Sequence, residues 1–281
     1  MKRLELLVAV ALIAQVSLAW AETPVERGAY LTSSIMACGN CHTPRGPDGA
    51  PQMDKQFSGG MRFDTPGFDV TASNITPDAE TGIGAWSEAD IRKLLTTGTR
   101  PNGVQVAPIM PYNFYQGLTS SDLDAITAYL KSIPAVKNQV PGPVYKTHLL
   151  PTPYPDAQKP VTDAAMSDPL VRGRYLATIG HCMECHTPLA QGRLQFDTGM
   201  GKGGRQFDGP WGISTSANIT SSKVSGIGNV SDADIKRAIT EGIARDGHRM
   251  KPPMGYSAYA RLSEQDVNAL VAWLRTVPPI D

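Results

Sequence analysis

Two halves of this chain repeat each other at a constant offset of 144 residues, which limits the fold to one unit used twice. Gly60 and Phe63 recur as Gly204 and Phe207, and Asn74-Ile75-Thr76 recurs as Asn218-Ile219-Thr220. Ile83-Gly84 recurs as Ile227-Gly228, Gly98 as Gly242, Tyr112 and Tyr115 as Tyr256 and Tyr259, and Pro134 as Pro278. Anchors this regular leave little room for insertions. A period of this length is a duplicated domain, not a solenoid unit of about 20–50 residues. Before position 38 the register slips by one, and Tyr30-Leu31 lies opposite Tyr175-Leu176.

Local patterns within each copy read as helix. Ser87-x-x-Asp90 and Ser231-x-x-Asp234 resemble capping boxes, with Asp in place of Glu or Gln. Behind them Ile91, Leu94 and Leu95, and again Ile235, Ala238 and Ile239, recur at helical spacing. Gly98 and Gly242 stand where a left-handed helix stop belongs. A second helix starts near Thr119 or Ser263 and ends at Pro134 or Pro278. A further helix runs from about Val25 into Cys38, and from about Leu170 into Cys182. The stretches from His42 to Ile83 and from His186 to Ile227 are rich in Gly, Pro and Asp and read as loops with little core of their own. Between the copies, Pro134 to Pro169 holds eight prolines in 36 residues. That composition predicts an extended, semi-rigid connector over the surface. Strand-like alternation is scarce, so the expected fold class is all-α. The expected divisions are residues 1–21, 22–135, 136–168 for the connector, and 169–281.

All four cysteines fall in two copies of one pentapeptide, Cys38-Gly39-Asn40-Cys41-His42 and Cys182-Met183-Glu184-Cys185-His186. Cys-x-x-Cys-His is the attachment signature of c-type haem. Two thiols three residues apart can each add to one vinyl group of a porphyrin, and the adjoining His is held under the iron. Haem would also supply the apolar volume that the loops lack. Disulfides are the competing use of cysteines in an exported chain, but they explain neither the following His nor the methionines. Zinc ribbons place their knuckles about 15–20 residues apart, not 144, and a thioredoxin-like site needs a βαβ setting.

The second axial ligand follows from the repeat. Met110, in Pro108-Ile109-Met110-Pro111-Tyr112, is equivalent to Met254, in Pro252-Pro253-Met254-Gly255-Tyr256. Each follows its His, His42 or His186, by 68 residues, in a Pro-rich loop between two helices. A Met more often fills a core gap, but the pairing selects these two from ten methionines. Met250, opposite Val106, is the competing sulfur, and Met61 and Met200 have no Met equivalents. His181, opposite Ala37, and His248, opposite Val104, are competing ligands for the second iron. His148, alone in the connector, reads as a surface residue. The two Asn-Ile-Thr sequons match the N-glycosylation pattern, but their equivalent positions point to a structural turn or a haem-edge contact.

Lys2 and Arg3, an apolar run from Leu6 to Leu18 and then Ala19-Trp20-Ala21 form a secretory signal with its cleavage pattern. The run is shorter than the roughly 18 residues a membrane span needs, so the mature chain is expected to begin at Glu22, with no transmembrane segment. Lys plus Arg equals Asp plus Glu at 26 each. That balance gives no general attraction to nucleic acid.

With Cys38, Cys41, His42 and Met110 in one copy, and Cys182, Cys185, His186 and Met254 in the other, the chain resembles class I cytochrome c domains in tandem. The order Asn-Ile-Thr, Gly-Ile-Gly, Ser-x-x-Asp, Met-Pro-Tyr and a Leu-rich helix ending in Pro is similar to the cytochrome c subunits of periplasmic alcohol and gluconate dehydrogenases. It also resembles the cytochromes that accompany molybdenum hydroxylases. The resemblance implies two covalently attached haem c groups. It implies a periplasmic electron carrier between a dehydrogenase donor and a quinone, oxidase or cytochrome acceptor. Those dehydrogenase cytochromes usually carry three haems, and this chain has two. The alternative is a diheme enzyme, such as a thiosulfate dehydrogenase or a cytochrome c peroxidase. The first uses a Cys as axial ligand and the second a switchable haem face. Four committed cysteines and symmetric methionines oppose both.

Overall fold

A computed structural model describes residues 22–147 and 150–281; the expected signal segment, residues 1–21, and His148 lie outside them. The first half contains α1 (Pro24–Ser33), α2 (Gly39–His42), β1 (Arg62–Asp64), β2 (Phe68–Thr71), α3 (Glu88–Thr97), α4 (Tyr112–Tyr115) and α5 (Ser120–Ser132). The connector supplies β3 (Val144–Tyr145). The second half contains α6 (Pro169–Ile179), α7 (Cys182–Cys185), β4 (Leu189–Ala190), β5 (Arg193–Leu194), α8 (Phe196–Gly199), β6 (Gln206–Gly209) and β7 (Gly212–Thr215). It ends with α9 (Asp232–Glu241), α10 (Tyr256–Tyr259) and α11 (Glu264–Leu274).

Caps fix where these helices start and stop. Thr23 and Glu26 close a capping box over α1, with Pro24 at its first position. Asp168 accepts from the amides of Leu170 and Val171 to start α6. Ser87 and Asp90 form a full reciprocal box, whereas Ser231 accepts from the Asp234 amide. Gly98 and Gly242 stop α3 and α9 in the left-handed region, at φ 69° and 68°. Both first helices end before the cysteines. The one-residue slip is absorbed between the end of α1 and Cys38. Ala37 and His181, just before each first Cys, share a positive φ of 48° and 42°.

Each half is held by its first helix crossing its last at very short range. A Cβ on Gly28 of α1 would lie 2.1 Å from the Ala125 carbonyl oxygen on α5. A Cβ on Gly173 of α6 would lie 2.0 Å from the Ala269 oxygen on α11. Glycine is what lets these backbones meet.

The halves are then locked together by crossed contacts. Asp122 on α5 accepts from Arg27 of its own half at 2.8 and 3.0 Å and from the Tyr175 hydroxyl of the other half. Asp266 on α11 accepts from Arg172 of its own half and from the Tyr30 hydroxyl of the other. Both carboxylates are buried, and each is paired and hydrogen-bonded as a buried charge requires. One continuous apolar core spans both halves.

Two expectations are corrected here. The fold is helix-rich but not all-α, because β1, β2 and β3 form an antiparallel sheet and β4–β5 and β6–β7 form two hairpins. Strands of two to four residues are too short to show alternation in sequence. The connector is also more than a surface strap. Its Val144–Tyr145 pairs with Phe68–Asp69 of β2, and Tyr154 is completely buried. The Tyr154 ring lies 4.6 Å from that of Phe114 and 5.1 Å from that of Phe196, one aromatic from each half.

Candidate haem sites

Each Cys-x-x-Cys-His run follows a first helix and forms a single helical turn, α2 or α7. Residues three apart share a helix face, so both thiols of a motif project to the same side. No disulfide joins any of the four cysteines. Burial pushes Cys38, Cys182 and Cys185 up to about 12 and Cys41 up to about 11. A redox-active Cys-x-x-Cys needs the opposite, a depressed thiol.

The two histidines are set in the same way. His42 Nδ1 lies 2.7 Å from the Ser73 carbonyl oxygen, and His186 Nδ1 lies 2.7 Å from that of Ala217. Nδ1–H donating to a backbone carbonyl fixes the tautomer and leaves Nε2 with its lone pair free for a metal. Burial holds both imidazoles below their ordinary pKa, so the neutral, ligating form is present at neutral pH. The loop behind each ring is tied back alike. Gly59 donates to the His42 carbonyl at 2.6 Å and Gly203 to that of His186 at 2.7 Å.

The Asn-Ile-Thr runs clamp this loop to the chain leaving the last helix. Asn74 Nδ2 donates to the Val136 carbonyl at 2.7 Å, and Asn218 Nδ2 to that of Ile280 at 2.6 Å. Asn74 is 2% exposed, so its role is a structural turn and not a sugar site.

Met110 is half-buried against the main core, in the turn where its amide donates to Ala107 at 3.0 Å and its carbonyl accepts from Tyr112 at 2.8 Å. Met254 is half-buried at the equivalent place before α10. Of the competitors, the two histidines are each paired with a carboxylate. The Met250 amide donates to Gly242 at 2.8 Å, just as that of Val106 donates to Gly98. His248 is exposed and paired with Asp246 at 2.5 Å. His181 is paired with Glu184 at 3.0 Å, with its ring 6.4 Å from that of Tyr115.

The structure brings the two motifs face to face, which the sequence did not reveal. A Cβ on Gly255, next to Met254, would lie 3.1 Å from Asn40 Nδ2 in the first motif. Glu184 of the second motif acts on the thiols of both Cys41 and Cys185. Burial, and then the first motif's cysteines and Glu184, push the Tyr115 hydroxyl well up; burial and the second motif's groups do the same to Tyr259. Equal spacing in the repeat shows that two sites exist, but not that they adjoin.

Haem fits these residues. Each site offers two thiols on one helical turn and a neutral imidazole with a free Nε2, and the first adds a buried donor with no protein acceptor, Arg100 Nε, beside Ser73. Such a site defines a domain built to hold haem covalently, present twice. The cytochrome c family model matches residues 25–134 and 170–278, and the chain belongs to that family.

Relatives agree. The chain is 32% identical over 280 residues to the fructose dehydrogenase cytochrome subunit of Gluconobacter japonicus, covering 90% of this chain and 52% of that one. It is 30% identical over 276 residues to the gluconate 2-dehydrogenase cytochrome c subunit of Pantoea cypripedii, covering 90% and 59%. It is 29% identical over 261 residues to a diheme cytochrome c-type protein of Cereibacter sphaeroides, covering 87% and 83%. The chain thus spans about half the length of the dehydrogenase subunits it matches. It carries two covalently bound haem c groups, and its class is electron transfer.

Proposed function

We propose that this chain is a periplasmic diheme carrier that takes electrons from a dehydrogenase and passes them to a quinone, an oxidase or another cytochrome. Residues 22–135 and 169–281 are its two haem domains, 136–168 joins them, and 1–21 is the export signal. Cys38 and Cys41 hold the first haem and Cys182 and Cys185 the second. His42 with Met110, and His186 with Met254, are the axial pairs. Each haem supplies a one-electron ferric/ferrous couple. The protein fixes the imidazoles through Ser73 and Ala217 and holds the two sites in one body through Asp122 and Asp266.

The matched pair of histidine–carbonyl bonds carries this reading, because it prepares both sites for the same permanent ligation. The names of the relatives support a dehydrogenase donor. Among the described residues no helix is long and apolar enough to cross a membrane.

Two equivalents of the weak near-infrared band of Met-ligated ferric haem are expected in the oxidised protein. Met110→Ala should remove one of them, lower the potential of the first site, and open its iron to small ligands. A soft thioether favours the reduced state. An unchanged spectrum in that variant would show that Met110 is not the ligand.

A further inference from the structure

The two sites repeat in their expected ligands but differ behind the proximal histidines. Ser73 and Ala217 occupy equivalent positions, and both offer the carbonyl that accepts from the imidazole. In the first half Ser73 Oγ also accepts from Arg100 Nη2 at 2.7 Å. Arg100 Nε is buried and has no acceptor in the protein. In the second half the residue equivalent to Arg100 is Ala244. The first half therefore keeps a cation, with one donor unused, next to the residue that orients its iron ligand. The second half has only methyl groups there.

Coverage differs in the same direction. The β3 strand pairs with β2, where Phe68 and Val70 are buried. The equivalent strand β7 has no such partner among the described residues, where exposed Gly212 and part-exposed Ser214 stand for Phe68 and Val70, and Ile213, the counterpart of Asp69, is 57% exposed.

We propose that Arg100 makes the two sites unequal, favouring the reduced state of the first, so that an electron shared within the chain resides in the first domain. The inference rests on the diheme reading above. A ferric site carries one more positive charge than a ferrous one. A nearby buried cation opposes that charge, and weak screening in the interior makes the opposition effective. Lower solvent access around the first site acts in the same sense. One electron moves: the first iron gains what the second loses, and no proton or atom is transferred. Arg100 is a positioning and charge-setting residue, not a ligand.

Spectropotentiometric titration of the full haem-loaded protein tests this. Two waves are expected. Arg100→Ala should lower the upper wave and leave the lower one in place, cutting the electron-sharing constant roughly tenfold, about 59 mV for a one-electron couple. Arg100→Lys should retain most of the separation, because it keeps the charge. Ala244→Arg should raise the lower wave without any change in the first half. A single unresolved wave in the unaltered protein overturns the proposal. So does a shift of the lower wave in Arg100→Ala, or no shift at all. Absence of the near-infrared Met band in the unaltered protein would instead refute the ligand assignment, and the two-wave comparison would still judge Arg100 on its own.

Discussion

Gly28→Ala and Gly173→Ala are each expected to destabilise the haem-loaded protein by about 3 kcal/mol or more, at the upper end for overpacking. For a chain of this size that is a fall of roughly 6–12 °C in Tm. The added carbon would sit 2.1 Å from a backbone oxygen in one case and 2.0 Å in the other. Backbone cannot rotate away as a side chain can, so the helices must separate. Separation also strips Tyr129 from Gly28, or Trp273 from Gly173, since their Cβ atoms lie only 2.6 and 2.7 Å from the added carbon. Thermal melting followed at the Soret band measures the effect. The two variants should fall by similar amounts, because the same crossing is built twice. An unchanged Tm would show that the helices do not approach this closely.

The second large effect is at the crossed locks. Asp122→Ala removes the acceptor of Arg27 and of Tyr175, and leaves a guanidinium and a hydroxyl partly or wholly buried without partners. Breaking a buried pair from one side costs about 3–5 kcal/mol. The Asp122 side chain is 7% exposed and that of Asp266 only 1%, so Asp266→Ala should sit at the upper end. Tyr175→Phe separates the inter-domain part. It keeps the Arg27–Asp122 pair and removes the hydroxyl's bond to Asp122 and its long 3.4 Å bond from the Thr119 amide, for about 0.5–1.5 kcal/mol each. Urea unfolding of the three variants gives the comparison. If Tyr175→Phe cost as much as Asp122→Ala, the ion pair would contribute little. If neither moved the midpoint, these contacts would not hold the halves together.

Much of the fold was legible because the helix signals are local. Ser87, Gly98, Thr119 and Ser263 each act within one turn of their own position, and each caps where the sequence placed it. The strands were not legible, because pairing across short segments is not local. Phe68 meets Tyr145 only after the connector folds back. Tyr154 was hidden for a related reason. A Pro-rich run reads as solvated, yet one aromatic in it fills the seam between the halves.

The haem-attachment motifs were legible from spacing, whereas compensating changes within the repeat were not. Gly39 and Phe57 in the first half correspond to Met183 and Gly201 in the second. A Cβ on Gly39 would lie 3.6 Å from the Phe57 ring, and a Cβ on Gly201 would lie 3.6 Å from Met183 Cε. The same volume is filled from opposite sides, so two apparent mismatches in the alignment are one conserved contact in space. Arg100 escaped notice in the same way, as a position where the copies disagree.

The exchange of Tyr30 and Tyr175 between Asp266 and Asp122 has the form of an isologous contact, the kind two identical subunits make about a rotation axis. Here both participants belong to one polypeptide. Contacts of that kind close after two members and cannot propagate into rings or fibres. Each half therefore spends this surface on the other half of the same chain. A redox partner has to approach over other faces, and it meets both haem domains as a single preassembled pair.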